Sequence, residues 1–424
     1  MMKTLYTLLL LALGSPALAT ALMVAPPQSQ PILIQGGTLH TVTQGVLPNT
    51  DLLVEAGRIR AIGTALPVPA DARLIDASGQ RVYPGLIALA NTLGLEEIEM
   101  IRSTVDSEEV GQLNPQLRAA VAYNPDSELI PTVRSNGITH IQLTPSGDLL
   151  AGTSSLLNLD AWNLDDALVP GGEGLHLYWP DLHLSVSDDE LAERQRQRQQ
   201  RQLTQLNQAF EQAYGYYLNR QHAQRQDRRW QAMLPVFEGQ RPLFVHADTQ
   251  PQIEQALRLA DRYRLKMVLV GGYDSYRLID QLLAQQVPVV YTHANSLPLR
   301  RHEPVDLPFT IPALLADAGV ELALAYPGSW DSRNLPFAAG YAAAHGLGGA
   351  RALKAITLSP ANILGLSDMG ALEVGYRANL VISDGDLLDI GQSRVSMVLI
   401  DGRQIDLNNR HKQLYHKYLN KPAR

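Results

Sequence analysis

No cysteine occurs anywhere in the 424 residues. That absence excludes disulfides, a thiolate nucleophile, cysteine-ligated zinc and a lipidated cysteine anchor. Basic charge is not in surplus either: 35 Lys+Arg stand against 42 Asp+Glu, a formal net charge of −7. The electrostatic footprint of a nucleic-acid binder is therefore missing, and no nucleic-acid partner is expected. Past the first residues, no apolar run reaches the roughly 18 residues of a spanning helix, so no membrane association is expected once a leader is removed. What is present is 45% hydrophobic content, enough for a full-sized core. The length suits two or three domains, or one large barrel with an accessory part.

Lys3 precedes an apolar stretch, LYTLLLLALG at 5–14, and Ala17-Leu18-Ala19 satisfies the small-x-small cleavage rule. Ala19-Thr20-Ala21 offers a second register. The apolar part is only about ten residues, too short to cross a bilayer. Residues 1–19 are expected to be a signal peptide, with an uncleaved anchor as the alternative, and the mature chain a soluble periplasmic or secreted protein starting near Thr20.

The rest of the chain changes style twice. Residues 20–83 hold short alternating strands with Gly, Asn and Asp turns, and residues 369–407 return to that pattern in ANLVISDGD and SMVLIDGRQID. Between them, apolar runs such as GITHIQLTP (137–145), PLFVHA (242–247), LKMVLVGG (265–272), VPVVYTHA (287–294) and VELALAYP (320–327) alternate with helical stretches. Continuous apolar strands between helices indicate parallel β/α units, because both faces of each strand are covered. With VYPGLIALA (82–90) and SSLLNL (154–159), seven or eight strands are countable. The expected fold class is α/β: a TIM (β/α)8 barrel over 84–368, a composite β-sandwich from both chain ends, and a tail at 408–424. A Gln/Arg-rich stretch at 187–229 is expected to be a capped helical insertion on the barrel exterior, with Phe210, Tyr214, Tyr216 and Tyr217 as an alternative docking or dimer surface.

Two motifs carry a resemblance. VYPGLIALANTLGL is similar to the first barrel strand of amidohydrolase-superfamily enzymes, and ALKAITLSPANILGLSDMGALEVGYRANLVISDGD resembles that superfamily's closing signature. The likeness runs over about residues 32–407 and is nearest to the imidazolonepropionase-like branch. It implies a TIM barrel fused to a composite β-sandwich, hydrolysis of non-peptide C–N bonds such as a cyclic amide, and a divalent metal at the barrel mouth. Pro84-Gly85 would form the entry to the barrel, and Gly370 and Gly375 the turns back out of it.

The chain departs from that family where the metal is gripped. A His-x-His strand works because residues i and i+2 point the same way. Aligned on Pro84-Gly85, those positions hold Ala90 and Thr92, and the preceding acidic position holds Ala88. The strand-six ligand position reads Gly271-Gly272, and the strand-eight aspartate position falls at Tyr326 and Pro327. What remains is His246 in the strand-five position, His293 at the end of strand seven, and Asp331 in the loop after strand eight. His246 and His293 as metal ligands with Asp331 as the catalytic carboxylate form the candidate set, and Asp248 is a candidate to orient His246. His140 reads as a core histidine. The cofactor expectation is accordingly none, or a weakly held divalent metal with zinc first. No nucleophile elbow or Ser-His-Asp series is evident, and the serines of AGTSSLL (151–157) bear no mark of activation. Two functions follow: a hydrolase with weak or no metal-dependent catalysis, or a non-catalytic scaffold. Expected partners are a small-molecule amide and either an intact amidohydrolase homologue or a second copy of the chain.

Overall fold

The computed structural model describes residues 24–98, 100–221 and 226–422; the leader expected at 1–19 lies outside the described residues. Five strands come first: β1 (Ile32–His40), β2 (Val46–Glu55), β3 (Arg58–Gly63), β4 (Arg73–Asp76) and β5 (Arg81–Pro84). Eight more follow: β6 (Leu86–Asn91), β7 (Ile138–Leu143), β8 (Leu149–Asn158), β9 (Leu168–Tyr178), β10 (Leu243–Ala247), β11 (Met267–Gly271), β12 (Val289–Tyr291) and β13 (Leu322–Leu324). The last three are β14 (Leu380–Ser383), β15 (Val395–Ile400) and β16 (Arg403–Gln404).

Both chain ends build one sheet, ordered β16-β15-β14-β5-β1-β2-β3, with β4 paired to β1 off that path. The long strand β1 forks the sheet: its first half takes β4 and its second half takes β5. The two ends are thus hydrogen-bonded into a single forked sheet. Its core is aliphatic, with Ile34, Leu52, Leu380 and Leu399 sealed from solvent.

The second sheet runs β6 through β13 in sequence order. An isolated bridge between Asn91 and Gly328 brings its two edges together, so the barrel is nearly closed. Alternate residues of its strands form their own cluster, including Ile87, Leu156, Phe244, Val270 and Val290, which lie inside the barrel. Residues of the opposite parity, such as Val245 and Leu269, pack outward with Ile253, Leu257 and Ile311 of the covering helices. Those helices include Gln250–Tyr263, opened by a Thr249/Gln252 capping box, and Leu307–Asp317.

One expectation needs correction. The barrel is not eight parallel β/α units: β8 is antiparallel to both β7 and β9. Residues 144–148 join β7 to β8 and 159–167 join β8 to β9. A parallel crossover needs a dozen or more residues, so connections this short force the chain to double back. The insertion is the helix Asp189–Leu218, with Asp188 as its side-chain N-cap. Its aromatics are drawn toward the core to different degrees, with Tyr214, Tyr216 and Tyr217 half-buried. Phe210 is fully buried, and Tyr214 packs edge-on against Phe237 and Tyr263 at 5.4 and 5.2 Å between ring centroids.

Candidate functional site

A cavity of about 470 Å³ opens where the barrel strands end. Its wall takes Ala90 from β6, Tyr178 from β9, His246 from β10, Gly271 from β11, and Thr144 and Thr292 just past β7 and β12. That is the end of a barrel where loops follow strands and active sites lie. Thr92 also lines the cavity, and its hydroxyl donates to Glu96 Oε2 at 3.1 Å while Ser107 donates to Oε1 at 2.5 Å.

His246 shares its strand face with Phe244 and so points into the barrel. Its ring stacks on Tyr178 at 3.9 Å with 13° between planes. Nε2 lies 2.9 Å from Nδ1 of His176, which is fully buried and stacked on Phe244. Gly174 makes that stacking possible, since a Cβ there would run into the Phe244 ring. Burial pushes His246 down to about 3 and His176 well below the usual imidazole range, so both rings are neutral near pH 7. The far nitrogen of His176, Nε2, has no partner. Were it to carry the proton, a buried N–H would lack an acceptor at a cost of about 1–3 kcal/mol. We therefore assign the His176 proton to Nδ1, where it donates to His246 Nε2. His246 then carries its own proton on Nδ1.

His293 is held differently. Its Nε2 lies 2.7 Å from Asp248 Oδ1, and the edges of Tyr273 and Tyr291 frame it at 5.4 and 5.7 Å. Asp248, expected to orient His246, orients His293 instead. The reason lies in Gly271, whose φ is +92° and whose missing Cβ would collide with Asp248 Oδ1. The Asp248 carboxylate occupies the space that a strand-six side chain would fill.

Asp331 does not reach the mouth. It opens a short 3-10 turn, Asp331–Asn334, with 55% of its side chain exposed and Arg333 at 3.3 Å. His140 is fully buried inside β7, its Nδ1 2.9 Å from the Thr139 hydroxyl. Of the serines in AGTSSLL, Ser154 donates to the Gly174 carbonyl within the barrel wall.

The set His246, His293 and Asp331 is therefore not assembled. Each member is satisfied by a different neighbour: His176, Asp248 and Arg333. Among the described residues, no group of three or more His, Asp or Glu is placed to hold a metal ion. His246 in addition has Nε2 engaged by His176. By their chemistry and placement, His246, His293 and Asp331 do not fit a shared metal of the kind the resemblance implies.

Sequence reasoning misses β9 and with it His176, Tyr178 and Trp179. Alternation in Leu175-His176-Leu177-Tyr178 is the available signal, but Pro170, Gly171, Gly172 and Gly174 disguise the strand as a loop. Glu96 is missed as well, because it lies in irregular backbone past β6.

Comparison with known proteins places this geometry. Residues 311–406 match the model of a family described as Amidohydrolase family. The amidohydrolase tasK of Hapsidospora irregularis is 21% identical over 387 residues, 83% of this chain but only 39% of its own length. A dihydroorotase of Geotalea daltonii is 50% identical over 56 residues, 13% of either chain. The chain thus spans well under half the length of these curated relatives. Among solved structures, an amidohydrolase from Thermotoga maritima superposes with a TM-score of 0.79 at 22% identity, covering 88% of this chain and 99% of its own. An adenosine deaminase from Xanthomonas campestris with bound zinc gives 0.54 at 16% identity, covering 93% and 98%. The structural likenesses show a shared fold, and the family match is confined to residues 311–406.

Proposed function

We propose that this chain is an exported amidohydrolase-superfamily protein of the imidazolonepropionase-like branch. By lineage it is a hydrolase of non-peptide C–N bonds that has given up the superfamily's metal grip. The mouth persists as a small-molecule pocket, with weak or no metal-dependent catalysis. One observation carries this reading: Ala90, Thr92 and Gly271 line the cavity at the aligned ligand positions, and no side chain of theirs can bind a metal strongly.

Without a metal to lower the pKa of water, hydrolysis needs another base. The Asp248–His293 pair is the carboxylate–imidazole contact at the mouth, reaching the cavity wall through Asp248. Residual hydrolysis would use it, the carboxylate fixing the ring and the imidazole taking a proton from water. The second reading, a non-catalytic scaffold paired with an intact homologue or a second copy, is favoured by the same dispersed residues. Amide turnover that survives chelation and falls in His293→Ala separates the two; its absence leaves the scaffold.

Metal analysis tests the shared premise. After exposure to excess zinc and dialysis, the purified protein is expected to retain less than about 0.1 equivalent. Stoichiometric zinc that disappears in His246→Ala would falsify it. Export is tested by N-terminal sequencing of protein from the periplasmic fraction, with Thr20 or Leu22 the expected first residue.

A further inference from the structure

We propose that the mouth cavity selects a small amide bearing a positive charge, held between Glu96 and Asp248, with His246 donating to its carbonyl. This deepens the reading of the mouth as a small-molecule pocket and rests on it. The charge balance of the wall is the starting point. Glu96 and Asp248 line the cavity, and no lysine or arginine does. Glu96 is bonded only to the hydroxyls of Thr92 and Ser107, and Asp248 Oδ1 to His293. Among the described residues, neither carboxylate has a lysine or arginine partner. Arg300, on the loop after His293, is already held by Asp274 at 2.9 Å and Glu303 at 2.6 Å.

No lysine or arginine in the wall offsets that negative charge. His246 lines the same wall and brings an imidazole N–H as a hydrogen-bond donor. Burial raises the Tyr178 phenol, with Glu96 and Glu108 adding to the effect, so this hydroxyl stays protonated. Two aromatic rings, Tyr178 and Trp179, lie in the same wall, and aromatic faces attract cations. Ser146 and Thr292 also line the wall and carry hydroxyls for the remaining polar atoms. A carboxylate-bearing ligand would meet like charge with no guanidinium to receive it, whereas an ammonium group meets two carboxylates that have no lysine or arginine partner.

The test uses three amides matched in size: N-acetyl-1,4-diaminobutane (cationic), N-butylacetamide (neutral) and 4-acetamidobutanoate (anionic). Binding is measured by calorimetry and ligand-observed NMR on the chelator-treated full chain at low salt. The cationic amide is expected to bind about tenfold tighter than the neutral one, and the anion weakest, with the preference shrinking as salt rises. Glu96→Gln and Asp248→Asn should each reduce the preference and together abolish it, with circular dichroism verifying the fold. As a second variant, Thr292→Lys should shrink the cationic preference by adding a cation to the wall. Equal or tighter binding of the anion, a preference unchanged in the double variant, or no binding of any amide at 10 mM (about the weakest useful affinity) overturns the proposal. So does calcium binding at the mouth with no discrimination among amides. Zinc content is measured separately without amide, so failure of this proposal and failure of the metal-loss reading remain distinct results.

Discussion

Three histidines in this barrel have lost their charge to burial. His140 and His246 are pushed down to about 3, and His176 well below its ordinary range, desolvation being the leading cause in each. Unfolding restores an imidazole pKa near 6.5, so below that pH the unfolded chain binds protons that the folded chain does not. Stability is therefore fully present above about pH 6.5 and falls as pH drops from there toward about 3. Each such group contributes a slope of up to about 1.4 kcal/mol per pH unit. Urea midpoints measured from pH 7 to pH 4 should fall steeply, and His246→Asn should flatten the curve by one group's share. Gly271 is the other decisive single residue. Gly271→Ala would place a methyl against the Asp248 carboxylate at a positive φ, costing about 1–3 kcal/mol in backbone strain alone. NMR of His293 in that variant should show loss of the Asp248 contact.

At the level of elements, β8 and the Asp189–Leu218 helix show what sequence pattern does and does not contain. Hydrophobicity or alternation marks both strands flanking β8, yet strand direction is carried only by the length of the connections. The helix reads as solvated because Gln and Arg dominate it, while a single inner stripe (Leu206, Ala209, Phe210, Ala213) is buried. Phe210→Ala should therefore cost about 3–5 kcal/mol in a urea titration. Arg194→Ala, on the exposed face, should stay within about 0.5 kcal/mol.

Across the molecule, the sheet and the barrel are joined by a buried charge cluster. Asp160, sealed after β8, meets Arg134 at 2.9 Å and Arg403 of β16 at 3.1 Å, and accepts from the backbone N–H of Ala25. Removing the carboxylate strands two guanidinium groups, so Asp160→Ala should cost about 3–5 kcal/mol. Because the cluster ties both bodies, wild-type unfolding should be one transition, with circular dichroism and tryptophan fluorescence coinciding. Separated transitions would show that the sheet and barrel melt independently.

Local chemistry is enough to reveal the α/β class, the barrel strands with continuous apolar runs, and the pairing of the chain ends. Each of these is written in neighbouring residues through hydrophobic period or side-chain type. The same information places His246 and His293 at strand ends. It could not say that His246 would bond His176 or that Asp248 would turn to His293, nor that Asp331 would face solvent beside Arg333. Those pairings join residues 70 and 45 positions apart, or depend on which way a loop leaves its strand. Contacts of that kind arise only once the closed sheet has set the distances between its strands.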